Sequence, residues 1–361
     1  MPPRRAAGSV PSAPVSRRTA VALACLITVV LGGGVLTLAT HAEPTTVRRA
    51  PTAAVAAVDD ARPVVTSIVT TTTTTAPPTT TTTVPPPTPL KAAAVGRDLS
   101  PYNGLGTWID VYDWSVTYGK GGALVDAAAV DQMARMGVQT LYVQTSKWDA
   151  PVDVLEPERL LPIIERAKLD HLRVVAWYLP TFEDPQRDMA RLMAASRLPV
   201  DSLAVDIESL RMRDIAERNR RLIEISTNLR TALPNVTLGA IPFPPVAMDV
   251  INPNLWPSFP WAALAPSYDI WMPMSYQTER KPESGYRDAY RYMAENIDRL
   301  RAHLGSDVPV HAIGGVADRT TPDDVEGIYR AALERHVVGG SLYDWRTTSG
   351  ELWARMQRFR A

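Results

Sequence analysis

Cysteine is almost absent from this chain. Cys25 is the only one in 361 residues, and it lies in an apolar run. No intrachain disulfide can form, and no thiolate metal site can be built. Histidine is scarce too: the five, at 41, 171, 303, 311 and 336, are scattered without metal-ligand spacing, which argues against zinc and implies no metal or other cofactor. An excess of either charge is missing, since 38 basic residues face 38 acidic ones; nothing points to nucleic acid as a partner. A phosphate-cradling glycine loop is lacking as well. Gly119-Lys120-Gly121-Gly122 has the wrong spacing and precedes no suitable hydroxyl.

What the chain does have is the stretch 201–208, D-S-L-A-V-D-I-E. Side chains alternate across a strand, so Leu203, Val205 and Ile207 fall on one face. Ser202, Ala204, Asp206 and Glu208 fall on the other. Such a strand keeps its apolar side under helices and turns its carboxylates into a cleft. Two acids at i and i+2 lie within about 7 Å of each other. Like charges that close raise a pKa, leaving a carboxylic acid protonated near neutrality and able to donate a proton. The competing reading is a structural pair neutralised by Arg211 or Arg213 just downstream.

The first third of the chain has a different character. Residues 1–18 are basic, with Arg4, Arg5, Arg17 and Arg18, and an apolar stretch follows at 19–40. That length can cross the roughly 30 Å of bilayer hydrocarbon, and the preceding arginines put the N-terminus in the cytoplasm and the bulk of the chain outside. The expected location is therefore the cell membrane, single-pass, with the C-terminal domain outside. The alternative is secretion after signal cleavage near Thr40-His41-Ala42. Residues 41–97 are rich in Ala, Thr, Pro and Val, with threonine runs at 70–75 and 79–83 bracketed by prolines. Such a segment buries too little apolar surface to offset its ordering entropy. It reads as a disordered stalk or linker, with or without sugars on its threonines.

From 98 to 361 the pattern becomes a strand–helix alternation. Strands are expected at 106–111, 138–145, 173–179, 202–208, 236–243, 268–276, 308–315 and 340–345. Helices are expected at 125–136, 158–169, 185–196, 211–232, 261–265, 286–304, 322–335 and 350–360. Eight such units in this length define an α/β fold, a (β/α)8 TIM barrel, in which chemistry sits at the strand C-termini. Those ends carry Asp110 and Asp113, Gln144, Lys147 and Trp148, Trp177 and Tyr178, Glu183, Asp206 and Glu208, Tyr276, Gln277 and Glu279, and Asp344 and Trp345. Aromatic faces stack on sugar rings while amides and acids bond hydroxyls, so the mixture suits a carbohydrate. His311, at the opposite end of its strand, reads as a core residue, and Met272 and Met274 as barrel filling. The connection 242–261 carries six prolines with Phe243, Trp256, Phe259 and Trp261. It is either one wall of the cleft or a rigid loop with buried tryptophans.

The segment 201–208 resembles the strand-four signature D-x-x-D-x-D-x-E of the chitinase-like (family 18) glycoside hydrolases, matching at Asp201, Asp206 and Glu208. Met274-Ser275-Tyr276-Gln277 resembles that family's M-x-Y-D, and Trp345 resembles the tryptophan that floors its sugar site. The resemblance implies that Glu208 protonates the leaving glycosidic oxygen. It also implies that Asp206 supports a substrate N-acetyl group acting as internal nucleophile, with Tyr276 bonding that group and Trp345 stacking beneath the sugar. Ala204 stands in place of the middle aspartate, Gln277 in place of the last one, and strand three lacks the S-x-G-G turn. The V-D-I-E ending also resembles the D-x-E of family 25 lysozymes.

The expectation is an extracytoplasmic glycoside hydrolase acting on an amino-sugar-containing or cell-wall polysaccharide. Glu208, Asp206 and Tyr276 would be catalytic, and Asp110, Gln144, Trp148, Tyr178, Gln277 and Trp345 would bind substrate. Its partners would be the glycan and, through the N-terminal helix, the membrane, with the barrel monomeric. The alternative is a catalytically silent glycan-binding barrel.

Overall fold

The computed structural model describes residues 96–119, 124–305 and 308–360. The expected basic N-terminus, membrane or signal helix and nearly all of the stalk lie outside the described residues. Among the described residues no helix is long and apolar enough to cross a membrane.

Eight parallel strands run β1 (Gly104–Ile109), β2 (Thr140–Gln144), β3 (Arg173–Tyr178), β4 (Ser202–Ile207), β5 (Leu238–Pro242), β6 (Ile270–Trp271), β7 (His311–Val316) and β8 (Gly339–Tyr343). Their order is β6-β5-β4-β3-β2-β1-β8-β7. The remaining seam, between β6 and β7, is joined by single pairings of Trp271 with Val310 and Met274 with Ile313. The ring is thus a nearly closed TIM barrel. The helices are α1 (Val111–Trp114), α2 (Ala127–Arg135), α3 (Pro157–Leu169), α4 (Pro185–Ala195), α5 (Ile215–Ala232), α6 (Trp261–Leu264), α7 (Ala289–Leu304), α8 (Pro322–Glu334) and α9 (Gly350–Met356).

Two departures from the expected elements have clear causes. Strand six was expected over 268–276 but is regular only at Ile270–Trp271, because Pro273 has no N–H to continue the ladder. The first strand ends at Ile109 rather than 111. Asp110 leaves the sheet to cap α1, its side chain accepting from Tyr112 N while Asp113 accepts from Asp110 N. That reciprocal arrangement is a capping box.

The barrel floor carries a hydrogen-bonded polar plug. His311 is buried, with Nδ1 at 2.8 Å from Tyr102 O and Nε2 at 3.0 Å from Ser341 Oγ; burial lowers its pKa to about 4. Tyr102 donates its hydroxyl to Leu203 O and accepts from Ser202 Oγ. Gly239 is required beside this plug, since a Cβ there would sit 2.7 Å from Met272 and 2.9 Å from Tyr102. Met272 and Met274 are buried, and Met272 fills the core.

At the strand N-termini two aspartates stitch neighbouring strands together. Asp201 accepts from Val174 N and pairs with Lys168. Asp269 accepts from Leu238 N and pairs with Arg230 at 2.6 Å and Arg97 at 2.7 Å. Arg97, the last residue of the expected linker, is therefore bound to the barrel. Removing a carboxylate from a part-buried pair strands its cations. We expect Asp269→Ala to lose about 3 kcal/mol in urea unfolding; a loss within 0.5 kcal/mol, the usual size for a surface change, would show that the clamp is ornamental.

Candidate active site

Strand β4 positions the central pair. Ser202 on its inward face bonds into the floor, so the alternation carries Ala204, Asp206 and Glu208 up the same side toward the mouth. Asp206 and Glu208 are 6% and 9% exposed. Asp206 Oδ1 is buried with no hydrogen-bond partner; the residue beneath it on the same face is Ala204, which offers none. Among the described residues neither carboxyl enters an ion pair. Burial pushes Glu208 up to about 7; burial, and then the charge of Glu208, raise Asp206 well above the carboxylate range. The two titrate as a pair that retains a proton near neutral pH.

The neutralised-pair reading fails on the position of Arg211. Its Nε lies 2.6 Å from Glu183 Oε2, and its guanidinium carbon sits 3.9 Å from the centre of the Trp148 ring. Trp148 itself is a rim residue, 38% exposed, with Lys147 Nζ 4.8 Å from its ring. Glu279 is held by Arg319.

A second group of acids gathers where β1 and β8 end. Asp110, 2% exposed, accepts a 2.6 Å hydrogen bond from Tyr343 OH. Burial raises Asp110 to about 6 and Asp113 to about 9, with Asp344 adding to both and Asp110 adding to Asp113. Asp344, also raised by burial, accepts from Thr347 N and Oγ1. Arg346 stands 3.8 Å from Asp113. Gln144 ties this group to β2 by accepting from Val111 N. Among the described residues no set of three or more acids, histidines or cysteines could hold a metal ion.

The aromatic residues sort by strand parity. Trp108 stacks on Tyr142 at 4.1 Å and meets Trp177 edge-on at 6.1 Å, so these inward rings pave the base of the mouth. Half-exposed Tyr276 lies 6.2 Å from the Tyr343 ring and so joins the Asp110 side of the mouth.

Two expected substrate contacts are corrected. Tyr178 points outward, donating its hydroxyl to Asp188 of α4 and accepting from Arg191, because its neighbour Trp177 takes the inward position. Trp345, partly exposed, packs on Trp353 of α9, 5.3 Å between ring centres. Gln277 is wholly buried against Gly315, neither amide atom having a partner, so a sugar cannot reach it. The connection 242–261 follows the rigid-loop alternative: Trp256, Phe259 and Trp261 are buried, and Trp256 bonds Asn219 of α5. Sequence reasoning left Tyr343 out altogether. Its signal was the i, i+2 step from Ser341, the same parity that marks Glu208 from Asp206.

No protein-family model matches the sequence, and no curated protein matches it. Solved structures do resemble the barrel. The Bacillus cereus spore cortex-lytic enzyme SleL is similar with a TM-score of 0.53 at 9% identity, over 72% of this chain and 74% of that one. The Bacillus megaterium QM B1551 enzyme of the same name gives 0.50 at 8%, over 72% and 74%. Thermotoga maritima Cel5A, solved with mannotriose, gives 0.50 at 12%, over 71% and 98%. At such identities the likeness is one of fold. The family 18 and family 25 resemblances remain expectations.

A buried carboxyl whose pKa is raised by folding stabilises fully below its unfolded pKa and loses that contribution as pH rises through the folded value. For Glu208 the window is about 4.5 to 7, and the loss above it is on the order of 3 kcal/mol. We expect Glu208→Gln to raise the melting temperature at pH 8 and to leave it unchanged at pH 4. Equal shifts at both pH values would show that Glu208 is not destabilising when ionised.

Proposed function

We propose that this protein is an extracytoplasmic glycoside hydrolase acting on an amino-sugar-containing or cell-wall polysaccharide, with Glu208 as the general acid. One observation carries the reading: a paired, buried carboxyl on the inward side of β4 holds its proton near neutral pH with no cation beside it. A general acid needs a pKa near the working pH and an open approach to the leaving oxygen. Enzymes on this fold include the two cortex-lytic enzymes and the mannotriose complex, which makes wall glycans and related polysaccharides the first substrates to test.

In this scheme the substrate lies across Trp108 and Trp177, and Glu208 gives its proton to the glycosidic oxygen as the bond to the anomeric carbon breaks; water adds to that carbon and its proton returns to Glu208. Asp206, beneath it, keeps its own proton and offers the substrate the oxygen that is now unpartnered. The acid group around Asp110 and Tyr276 faces the same mouth and supplies hydrogen bonds to hydroxyls. Residues 19–40 would hold the barrel at the outer face of the membrane, on the stalk 41–97.

Hydrolysis of purified wall glycans by the full chain should fall about 100-fold or more in Glu208→Gln, the scale of a lost general acid. Its activity should decline above about pH 7 as Glu208 ionises. Unchanged turnover in that variant would remove Glu208 from the reaction.

The second reading is a glycan-binding barrel without turnover. The burial of Gln277, together with the orphaned Asp206 oxygen, favours it. It requires saturable binding of the same glycans with no product after prolonged incubation.

A further inference from the structure

Among the described residues no basic side chain forms an ion pair with Glu208, and those on the neighbouring connections are paired elsewhere. Arg211 follows it by three residues in the irregular β4–α5 connection, a stretch that spans at most about 11 Å. A guanidinium on that tether can reach the Glu208 carboxyl. Instead it lies over Trp148 of the β2–α3 connection and pairs with Glu183 of the β3–α4 connection. Lys147, the next cation on the rim, is committed to Asp149 at 2.6 Å. Arg187 faces Asp153 at 3.6 Å and donates to Pro151 O.

We propose that Glu183 and Trp148 are positioning residues that hold the Arg211 guanidinium off the Glu208 carboxyl. The functional meaning of this device rests on Glu208 being the acid, although its physical effect does not. An arginine within 4–6 Å of a carboxyl favours the ionised form and lowers its pKa by about one to three units. Were Arg211 to fall back onto Glu208, the proton needed for leaving-group protonation would be lost at neutral pH. The ion pair alone is too exposed to be strong, its two side chains being 41% and 43% accessible. The indole face supplies the second hold, since a guanidinium over tryptophan contributes about 0.5–1 kcal/mol at exposed sites.

The other titratable and charged groups around the mouth are accounted for. Asp206, on β4 itself, is raised by burial and then by the charge of Glu208. Arg213 is exposed farther along the same connection. From β1 and β8 come Asp110, Asp113, Asp344 and Arg346, held among themselves with Tyr343; from β6 comes Tyr276.

The test reads the ionisation of Glu208 directly and needs no substrate. In the full chain, carboxyl-labelled with 13C-glutamate, the Glu208 resonance is identified by its loss in Glu208→Gln and followed against pH. Glu183→Ala should lower its midpoint by about one to three pH units, and Glu183→Ala/Arg211→Ala should return it to the wild-type value. A merely structural role for Glu183 would not be undone by removing Arg211. A midpoint unmoved in Glu183→Ala, or still lowered in the double variant, would overturn the proposal. Should no variant hydrolyse any glycan, the hydrolase reading fails while this titration still decides the role of Glu183. Where turnover is found, the basic limb of its pH profile should shift to lower pH in Glu183→Ala alone.

Discussion

The architecture of this site depends on the burial of two carboxyls at the end of β4 without a cation to neutralise them. Several acids elsewhere in the barrel are matched by cations: Asp269 by two arginines, Asp201 by Lys168, Glu183 by Arg211. Asp206 and Glu208 are not, and an unpaired charge in a low-dielectric site is expensive. The protein meets that cost by keeping a proton on the pair. A fold selected only for stability would place an arginine there or replace the acids; retaining them points to use.

The surroundings of the pair are consistent with that. Below it, the floor residues His311, Tyr102, Ser202 and Ser341 are joined by hydrogen bonds that tie strands together. Trp108, Tyr142 and Trp177 form a contiguous set of buried inward rings. The three strand ends β1, β2 and β8 carry a second acid group that is locked by the capping box, Gln144 and Tyr343. These acids share one end of the barrel with Asp206 and Glu208.

The comparison of expected and observed site residues turns on neighbours rather than on composition. Trp177 and Tyr178 are adjacent aromatic residues at one strand end, and only one of them can face inward; the register put Tyr178 against Asp188 and Arg191. Trp345 sits just past the end of β8, where the sheet no longer dictates direction, and Trp353 of α9 captured it. Gln277 follows a strand broken by Pro273, so its direction could not be counted from alternation. Where a regular strand continued, as from Ser202 to Asp206, the parity count placed the residues on the observed face.

Local information was enough for the eight-fold strand–helix alternation, for the helix caps, and for the inward face of β4, because hydrophobic periodicity and backbone alternation are properties of short segments. The sequence also confined the chemistry to carboxyls, amides and rings by having so few cysteines and histidines. It could not say which cations stand near Glu208. Arg211 is close in the chain, yet its charge is drawn to Glu183 and Trp148, which come from two other connections. Only folding brings those three loops to one rim, and it is folding that buries the Glu208 carboxyl and so raises its pKa.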